Sequence, residues 1–586
     1  MFGPADDGIE IPPFFNESGT KFLLHLLRMD VIQDLSTSEV QSAHELAQQV
    51  DGHAQAISVM AGLIQRRSWG IQEFLSIYEK NREYIHVKGR DNALSTIWKL
   101  SFESLTRECA TLLGILAYIS PDSIPQELFT TADPDSLPQR LRCCHDELDF
   151  HETVEPLLTQ ALVQRDKEEK TYAVHRLVQI QYRYHLTQQG RQEAFNQAVK
   201  LLFEGFGSGA GQLYDRWTHC QMYIQQIVSL KNNYKKEMSG ADRLHPTLQF
   251  CSLLARSSRY LVEIADYVEL EDLLSVALGA LEELPRSETK QRINDLATIV
   301  GATGLLWGHR GFFGRAIPFV RRANKLQSER EDKNWNSLSW SEVNLGNVLA
   351  SAGEYDEALE WELKAEETRK RGDKNDVIKS NSVVQQNIGR CYTFLDQFDK
   401  AASRLQSAAS EFKDSKNWAM LAFTLFVQGT LERRQGNLEA SKEAYTEAQQ
   451  VWILGGKLKT HHFNGACMYK LGCISMDLGD KDKAMEHLRA ALVVAKLKEE
   501  VMAGDYARVL HKLSVLLNTL VGSEVESAEM AAKALRIQRE MTRDNSINFK
   551  EEGRGARSAL ATEMGDLGLD DSDEKRYDEL VYILWR

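Results

Sequence analysis

The sequence predicts a mostly α-helical chain that ends in a long α-solenoid, and three observations carry that expectation. Prolines number only 11 in 586 residues, while Ala, Leu, Glu, Gln and Lys abound, which favours helix almost throughout. Small residues recur in register from about Asn294 to Asn545 with a period near 42. Ahead of them, apolar residues at helical spacing are interrupted at Ser120–Pro121 and Pro125, giving short helices rather than a repeat.

The register starts from Gly304, Gly346, Gly389, Gly429 and Gly472, which are 42, 43, 40 and 43 residues apart. Twelve residues after each stand Ala316, Ala358, Ala401, Ser441 and Ala484, and seven further on Ala323, Ala365, Ala408, Ala448 and Ala491. A glycine on the first helix of a hairpin lets the second helix approach closely. Two small residues seven apart, two turns of helix, lie on one face of that second helix. Between the helices a turn is expected at Gly311, Gly353, Gly436 and Gly479, with Asp396 in the remaining case. A weaker unit precedes, around Ser258–Glu283, and another follows from Tyr506 to Met541 with Ser514 in the glycine position.

This pattern resembles the tetratricopeptide repeat, here as LG at Leu345–Gly346 and IG at Ile388–Gly389, and the long period is similar to that of kinesin light chains. Such an array buries a core by stacking and presents a concave face built from the first helix of each hairpin. Positions beside the anchors are expected to face it: Asn344, Asn347, Gln386, Asn387, Arg390, Arg433 and Lys470. Amide side chains there suit the backbone of an extended peptide, so a protein or peptide partner is expected.

Residues 1–240 lack the period. The stretches ALVQRD and TYAVH flank a charged turn, and a helix starts near Leu177. Helices followed by such a hairpin make a winged-helix arrangement. At this point the chain resembles the fungal NB-ARC–tetratricopeptide proteins, members of the STAND ATPases that look like NOD-like immune receptors. The residues that carry the resemblance are TIWKLSFESL, LLGILAYISPDSIP, VHRLVQ, RQEAFNQAVKLLFEGF, Trp217 and Cys220, and the ending KRYDELVYILWR. Upstream, GTKFLLHLL and HELAQQVDGHAQAISVMAGLI are similar to the family's small helical subdomain. Its G-L-P-L-A loop is represented by Gly52 to Ala56, with only Gly52 and Ala56 matching.

The resemblance implies a helical subdomain remnant over 1–90, a winged-helix domain over 91–188 and a helical linker over 189–250. A superhelix of six to seven repeats then spans 251–545, and an acidic–aromatic tail 546–586. It also implies that His175, in VHR at Val174–Arg176, takes the place of the family histidine that reaches the diphosphate of ADP.

The chemistry of a working ATPase is missing. No G-x-x-x-x-G-K-[ST] string exists; Gly207–Gly211 lacks the lysine, and GGKLKT at Gly455 has the wrong spacing. The chain is therefore expected to begin after the α/β nucleotide-binding fold and to carry no cofactor. ADP or ATP enters only under an alternative reading, a signalling switch whose phosphate loop comes from another chain or a missing upstream exon. His461–His462 are adjacent on a helix and so are expected to face apart, and Cys467 and Cys473 lack zinc spacing. No nucleophile–base pattern stands out, and a non-catalytic scaffold is the expectation.

A formal charge of −14 opposes general binding to nucleic acid or anionic membrane. The first ten residues have no basic start or apolar run, and the longest apolar stretch is far short of the ~20 residues of a membrane span. Eight scattered cysteines fit a reducing compartment, so a cytoplasmic protein is expected. The family resemblance adds self-association. The acidic run Asp570–Glu574 is expected to be a solvated linker.

Overall fold

The computed structural model describes residue 14 and residues 16–28, 36–50, 52–86, 93–130, 137–207, 213–240, 242–285, 290–372, 374–551 and 574–586. They are overwhelmingly helical. The chain divides into two compact units, one of residues 1–207 with 218–253, the other of residues 208–217 with 254–586.

In the first unit, α1 (Asn16–Leu26), α2 (Thr37–Gln49), α3 (Ala54–Arg67) and α4 (Ile71–His86) pack together. Next come α5 (Ala93–Glu103), α6 (Arg107–Leu116), the two-residue strand β1 (Ile124–Pro125), α7 (Glu127–Thr130) and α8 (Glu147–Thr159). Strands β2 (Gln164–Asp166) and β3 (Thr171–Ala173) pair antiparallel, with Arg165 opposite Tyr172, as the charged turn between them predicts. The sheet order β1-β3-β2 adds a strand the sequence did not signal. Pro125 breaks the helical spacing, and at the sheet edge its missing N–H costs nothing.

Helix α9 (Arg176–His185) is pinned to the turn after α6 by Gln179, whose amide donates to the Leu116 and Ile119 carbonyls at 2.8 and 3.0 Å. Helices α10 (Gln188–Phe206) and α11 (Trp217–Glu237) are not the linker expected over 189–250. Phe195, Leu201 and Leu202 of α10 and Ile227 and Leu230 of α11 are buried. Asn233 of α11 donates to the Tyr118 carbonyl at 2.9 Å. The apolar stripes of these helices complete the core of the unit, which a linker would leave in water.

The second unit is the repeat array. Its hairpins are α12/α13 (Leu248–Glu263, Tyr267–Glu283), α14/α15 (Lys290–His309, Phe313–Ser328), α16/α17 (Trp335–Ser351, Tyr355–Lys370) and α18/α19 (Lys374–Phe394, Phe398–Asp414). Then follow α20/α21 (Trp418–Arg434, Leu438–Leu454), α22/α23 (His462–Asp477, Lys481–Lys496) and α24/α25 (Ala503–Leu517, Glu524–Glu551). Helix α25 runs six residues past the expected end of the array at Asn545.

Each anchor glycine meets the residue sixteen positions on in the sister helix. A Cβ placed at Gly304, Gly389 or Gly472 would lie 2.6, 2.7 and 2.6 Å from carbons of Val320, Leu405 and Leu488. Any side chain at the anchor would therefore push the hairpin apart. The small residues twelve and nineteen positions on are buried in the same seam. Ser441, the exception to alanine, places its hydroxyl 2.6 Å from the Gly429 carbonyl and donates to it. Asp396, at φ 58°, takes the left-handed turn position that glycine fills in the neighbouring hairpins. In the hairpin of Gly346 the sixteenth residue is Glu362, a carboxyl in a place that is apolar in its neighbours.

The array turns back on itself. Helix α15 packs on α25, His461 Nε2 donates to the Glu263 carbonyl at 2.9 Å, and Lys498 donates to the Ala265 carbonyl at 3.1 Å. The first helices of the hairpins thus surround a lumen.

Candidate functional site: an occupied lumen in the repeat array

The lumen is filled by the chain's own C-terminus, residues 574–586. It consists of α26 (Glu574–Asp578) and a short turn over Ile583–Trp585. Its partners come mainly from α14, α16, α20, α22 and α24, first helices all, with Tyr355 of α17 and Ala534 and Met541 of α25 added.

At one end Glu574 accepts from Arg433 and from Lys512, both at 2.8 Å. Arg433 also binds Asp477 at 3.0 Å. One helical turn later Asp578 faces Lys470 at 3.5 Å and Arg508 at 3.3 Å. Three of these cations are deeply buried, Lys512 being 0% exposed and Arg508 1%, while Arg433 is half-buried. Burial alone would push both tail carboxyls up. The Arg433, Lys512 and Lys470 charges outweigh it and hold Glu574 far below the usual carboxylate range. Lys470 and Arg508 likewise lower Asp578. Glu574 therefore is not part of a solvated linker; residues 570–573 lie outside the described residues.

Arg508 does more than neutralise Asp578. It donates to the Trp585 carbonyl at 2.9 Å, binds Asp505 at 3.3 Å, and lies over the Tyr469 ring at 4.3 Å. Burial first, then Asp578, raises the Asp505 carboxyl to about 6 against the lowering pull of Arg508. Two backbone approaches need glycine: a Cβ on Gly311 or Gly504 would fall 2.4 or 2.6 Å from the Leu580 carbonyl oxygen.

The last residues enter an aromatic and histidine pocket. The Tyr582 ring lies 4.0 Å from that of His309, and Trp585 stands edge-on to His462 at 4.2 Å, with Phe423 at 5.5 Å. Burial drives the His309 and His461 imidazoles down to about 3 and about 4, so both are neutral at physiological pH. Arg586 closes the site, donating to the Ser351 carbonyl at 2.6 Å and to the Tyr355 hydroxyl at 3.1 Å. The Ile583 amide donates to Ser351 Oγ at 3.0 Å.

A second segment reaches the same pocket. Tyr214 lies 5.3 Å from Phe423, ring to ring, and Trp217 donates its indole N–H to Glu263 at 3.0 Å. Beyond the tail the lumen continues into a cavity of about 360 Å³, lined by Arg256, Arg259, Asn294, Asp295, Trp340 and Asn344 among others.

Of the positions expected to face a partner, Arg433 and Lys470 hold the tail directly. Asn344, Asn347, Gln386, Asn387 and Arg390 line the narrow space beside Tyr582 and Trp585. Asn387 and Asn347 do not offer free amides there. Asn387 donates to Glu362 at 3.1 Å, and Asn347 accepts from Arg390 at 3.0 Å. Glu362 is pushed up to about 8 by burial, against the lowering pull of Arg390 and Asn387, and carries a proton at neutral pH. Sequence spacing missed Arg508, Lys512, His309, Phe423 and His462. Each is an ordinary residue of a repeat helix until the tail is in place.

His461 and His462 do not face apart. Their rings are 4.0 Å from one another, because His461 is the N-cap of α22 in an extended conformation and helical spacing does not apply to it. His175, in the first unit, caps α9, its Nδ1 accepting from the Leu177 N–H at 3.2 Å. Its ring lies 6.4 Å from that of His53, which precedes α3 just after Gly52. Burial, then His53, lowers its pKa.

Comparison with known proteins adds the following. A tetratricopeptide-repeat model matches residues 466–493, and a domain of unknown function, DUF7779, matches residues 100–191. Response regulator aspartate phosphatase I of Bacillus subtilis is 32% identical over 122 residues, 21% of this chain. The match spans 30% of that relative's length. Among solved structures, a Rap protein complexed with competence and sporulation factor is similar at a TM-score of 0.42 and 13% identity, over 58% of this chain and 90% of that one. A STAND protein with a tetratricopeptide repeat sensor from Pyrococcus horikoshii is similar at 0.40 and 13%, over 92% and 75%.

The class is that of α-solenoids built from stacked helical hairpins, with a tetratricopeptide-repeat match over residues 466–493. Within it, this chain is one whose lumen holds its own last thirteen residues. Among the described residues no helix is long and apolar enough to cross a membrane.

Proposed function

We propose that this chain is a non-catalytic protein–protein interaction scaffold, a truncated relative of the STAND and NOD-like receptors that binds a partner segment in the lumen of its repeats. The observation that carries the reading is the lumen itself. Three buried cations and the half-buried Arg433, an aromatic–histidine pocket and backbone-level clearances at Gly311 and Gly504 converge on one segment. Convergence of this kind, from helices far apart in sequence, is what a groove needs to hold a peptide by its charges and its aromatic anchors.

On this reading residues 1–90 are the helical remnant, and residues 91–188 are a winged-helix domain with β2 and β3 as its wing. No nucleotide is needed, and the protein works in the cytoplasm. The test compares proteins captured by the wild-type chain, by Lys470→Glu in the lumen, and by Val493→Arg on the exposed face of α23. Capture should survive Val493→Arg and fall with Lys470→Glu. Equal capture by all three contradicts binding in the lumen.

The alternative, a nucleotide-dependent switch completed by a phosphate loop from elsewhere, draws on the closeness of His53 to His175 at the start of α9. Equilibrium binding of fluorescent ADP and ATP separates the two readings. No binding favours the scaffold, whereas micromolar binding abolished by His175→Ala brings the switch back.

A further inference from the structure

We propose that the lumen is a receptor for an acidic–aromatic protein segment supplied in trans, and that residues 574–586 are the cis occupant this segment displaces. The inference rests on the scaffold reading and names the chemistry of its partner.

The charge pattern defines that chemistry. Without the tail, Arg433, Lys470 and Arg508 face the lumen with Asp477 and Asp505 as the carboxylates paired to them among the described residues. Buried cations in that excess are stable only with anions that enter from outside the array. In the tail the anions are Glu574 and Asp578, one helical turn apart, each bridging two of the cations. Four and seven residues beyond Asp578 come Tyr582 and Trp585, against His309 and His462. A displacing segment therefore carries two carboxylates four residues apart, followed by two aromatic residues at those spacings.

The cis fit is incomplete, and this is why it can be displaced. Trp585 Nε1, both ring nitrogens of His462 and Gln386 Oε1 are buried with no hydrogen-bond partner among the described residues. The tail also stops short of the 360 Å³ cavity lined by Arg256, Arg259 and Asp295. A longer segment that satisfies His462 and Gln386 and reaches that cavity binds better than the tail does.

The test uses the full chain with a protease site placed between Glu551 and Glu574, so that the tail is cut after folding. The probe is a fluorescein-labelled peptide of residues 574–586, followed by anisotropy. The cut chain is expected to take up the peptide. The uncut chain should bind it at least about tenfold more weakly, because the tethered tail competes at high effective concentration. A peptide carrying Glu574→Lys and Asp578→Lys should lose at least about tenfold on the cut chain, since it sets lysines against the lumen cations and like charges repel.

A second variant guards against collapse on cutting: the uncut chain with Glu574→Lys and Asp578→Lys should stay folded and bind the wild-type peptide as the cut chain does. The proposal is overturned if the cut tail stays bound and no peptide exchanges in. It is equally overturned if the cut chain unfolds and the charge-reversed one takes up no peptide, or if binding ignores charge reversal. These failures leave a scaffold that binds elsewhere. Loss of partner capture by cut and uncut chains alike overturns the scaffold reading instead.

Discussion

Each hairpin of the array has two different surfaces, and they are built on opposite principles. The seam between sister helices is made of the smallest residues: Gly472, Ala484 and Ala491 in the α22/α23 pair, closed by Leu488. The lumen side of the same helix α22 carries His462 and Lys470, whose contacts depend on Trp585 and Asp578. Packing at the seam is local and is satisfied within one repeat. Packing in the lumen joins residues more than 270 positions apart, as with Tyr582 and His309, and much of it is made with the tail. The seam holds the array together, and the lumen decides what the array holds.

Variants sharpen this contrast, beginning with the largest effect. Arg508→Ala removes the group that joins Asp505, Asp578 and the Trp585 carbonyl, and leaves Asp505 without its cation and Asp578 with Lys470 alone. A loss of about 3–5 kcal/mol is expected, since breaking a buried ion pair from one side strands its partner. The urea midpoint and tail protection should fall together. An unchanged midpoint would mean that the tail is held by other contacts.

Trp585→Ala empties the aromatic pocket and is expected to cost about 3 kcal/mol, the range for truncating a buried aromatic residue. Limited digestion by carboxypeptidase should then reach into the tail, while the helical content stays that of the wild type. A loss of helix instead would make the tail a part of the array core.

At the seam, Gly472→Val forces a side chain into space held by Leu488. Overpacking of this kind costs about 2 kcal/mol, and the hairpin must open to relieve it. The variant should melt earlier yet keep its affinity for the tail peptide. Loss of peptide affinity in a folded protein would show that seam and lumen are coupled.

The smallest effect has a pH signature. Glu362 holds a proton in the folded state up to about pH 8, whereas its unfolded carboxyl titrates near 4.5. Between those values the folded state binds more protons, so stability falls as pH rises and levels off above 8. Glu362→Gln keeps an acceptor for Asn387 and removes the titration. It is expected to match the wild type at pH 4.5 and to exceed it by about 2 kcal/mol at pH 9, discounted from the full linkage value. Parallel stability curves across that range would refute a neutral Glu362.

The seam was readable from the sequence because sterics leave few solutions there. A glycine that must face a helix sixteen residues away, and an alanine twelve and nineteen away, repeat at every hairpin. The turn at Asp396 was legible for the same reason. The lumen was only half legible. Spacing beside the anchors led to Arg433 and Lys470, but the meaning of those charges depends on Glu574 and Asp578, which read as members of a solvated acidic run. A cation 141 residues from its anion leaves no local trace. His461 misled for another reason, since a helix cap does not obey the helical period. Strand β1 escaped notice because two residues ending in proline carry no alternation.

Hydrogen–deuterium exchange of the C-terminal peptide in the intact protein tests most directly whether the tail fills the lumen. The Ile583 amide, bonded to Ser351, and the α26 amides should exchange slowly in the wild type, and fast in Arg508→Ala. Exchange of residues 574–586 at the rate of a free peptide in the wild-type chain would contradict the account.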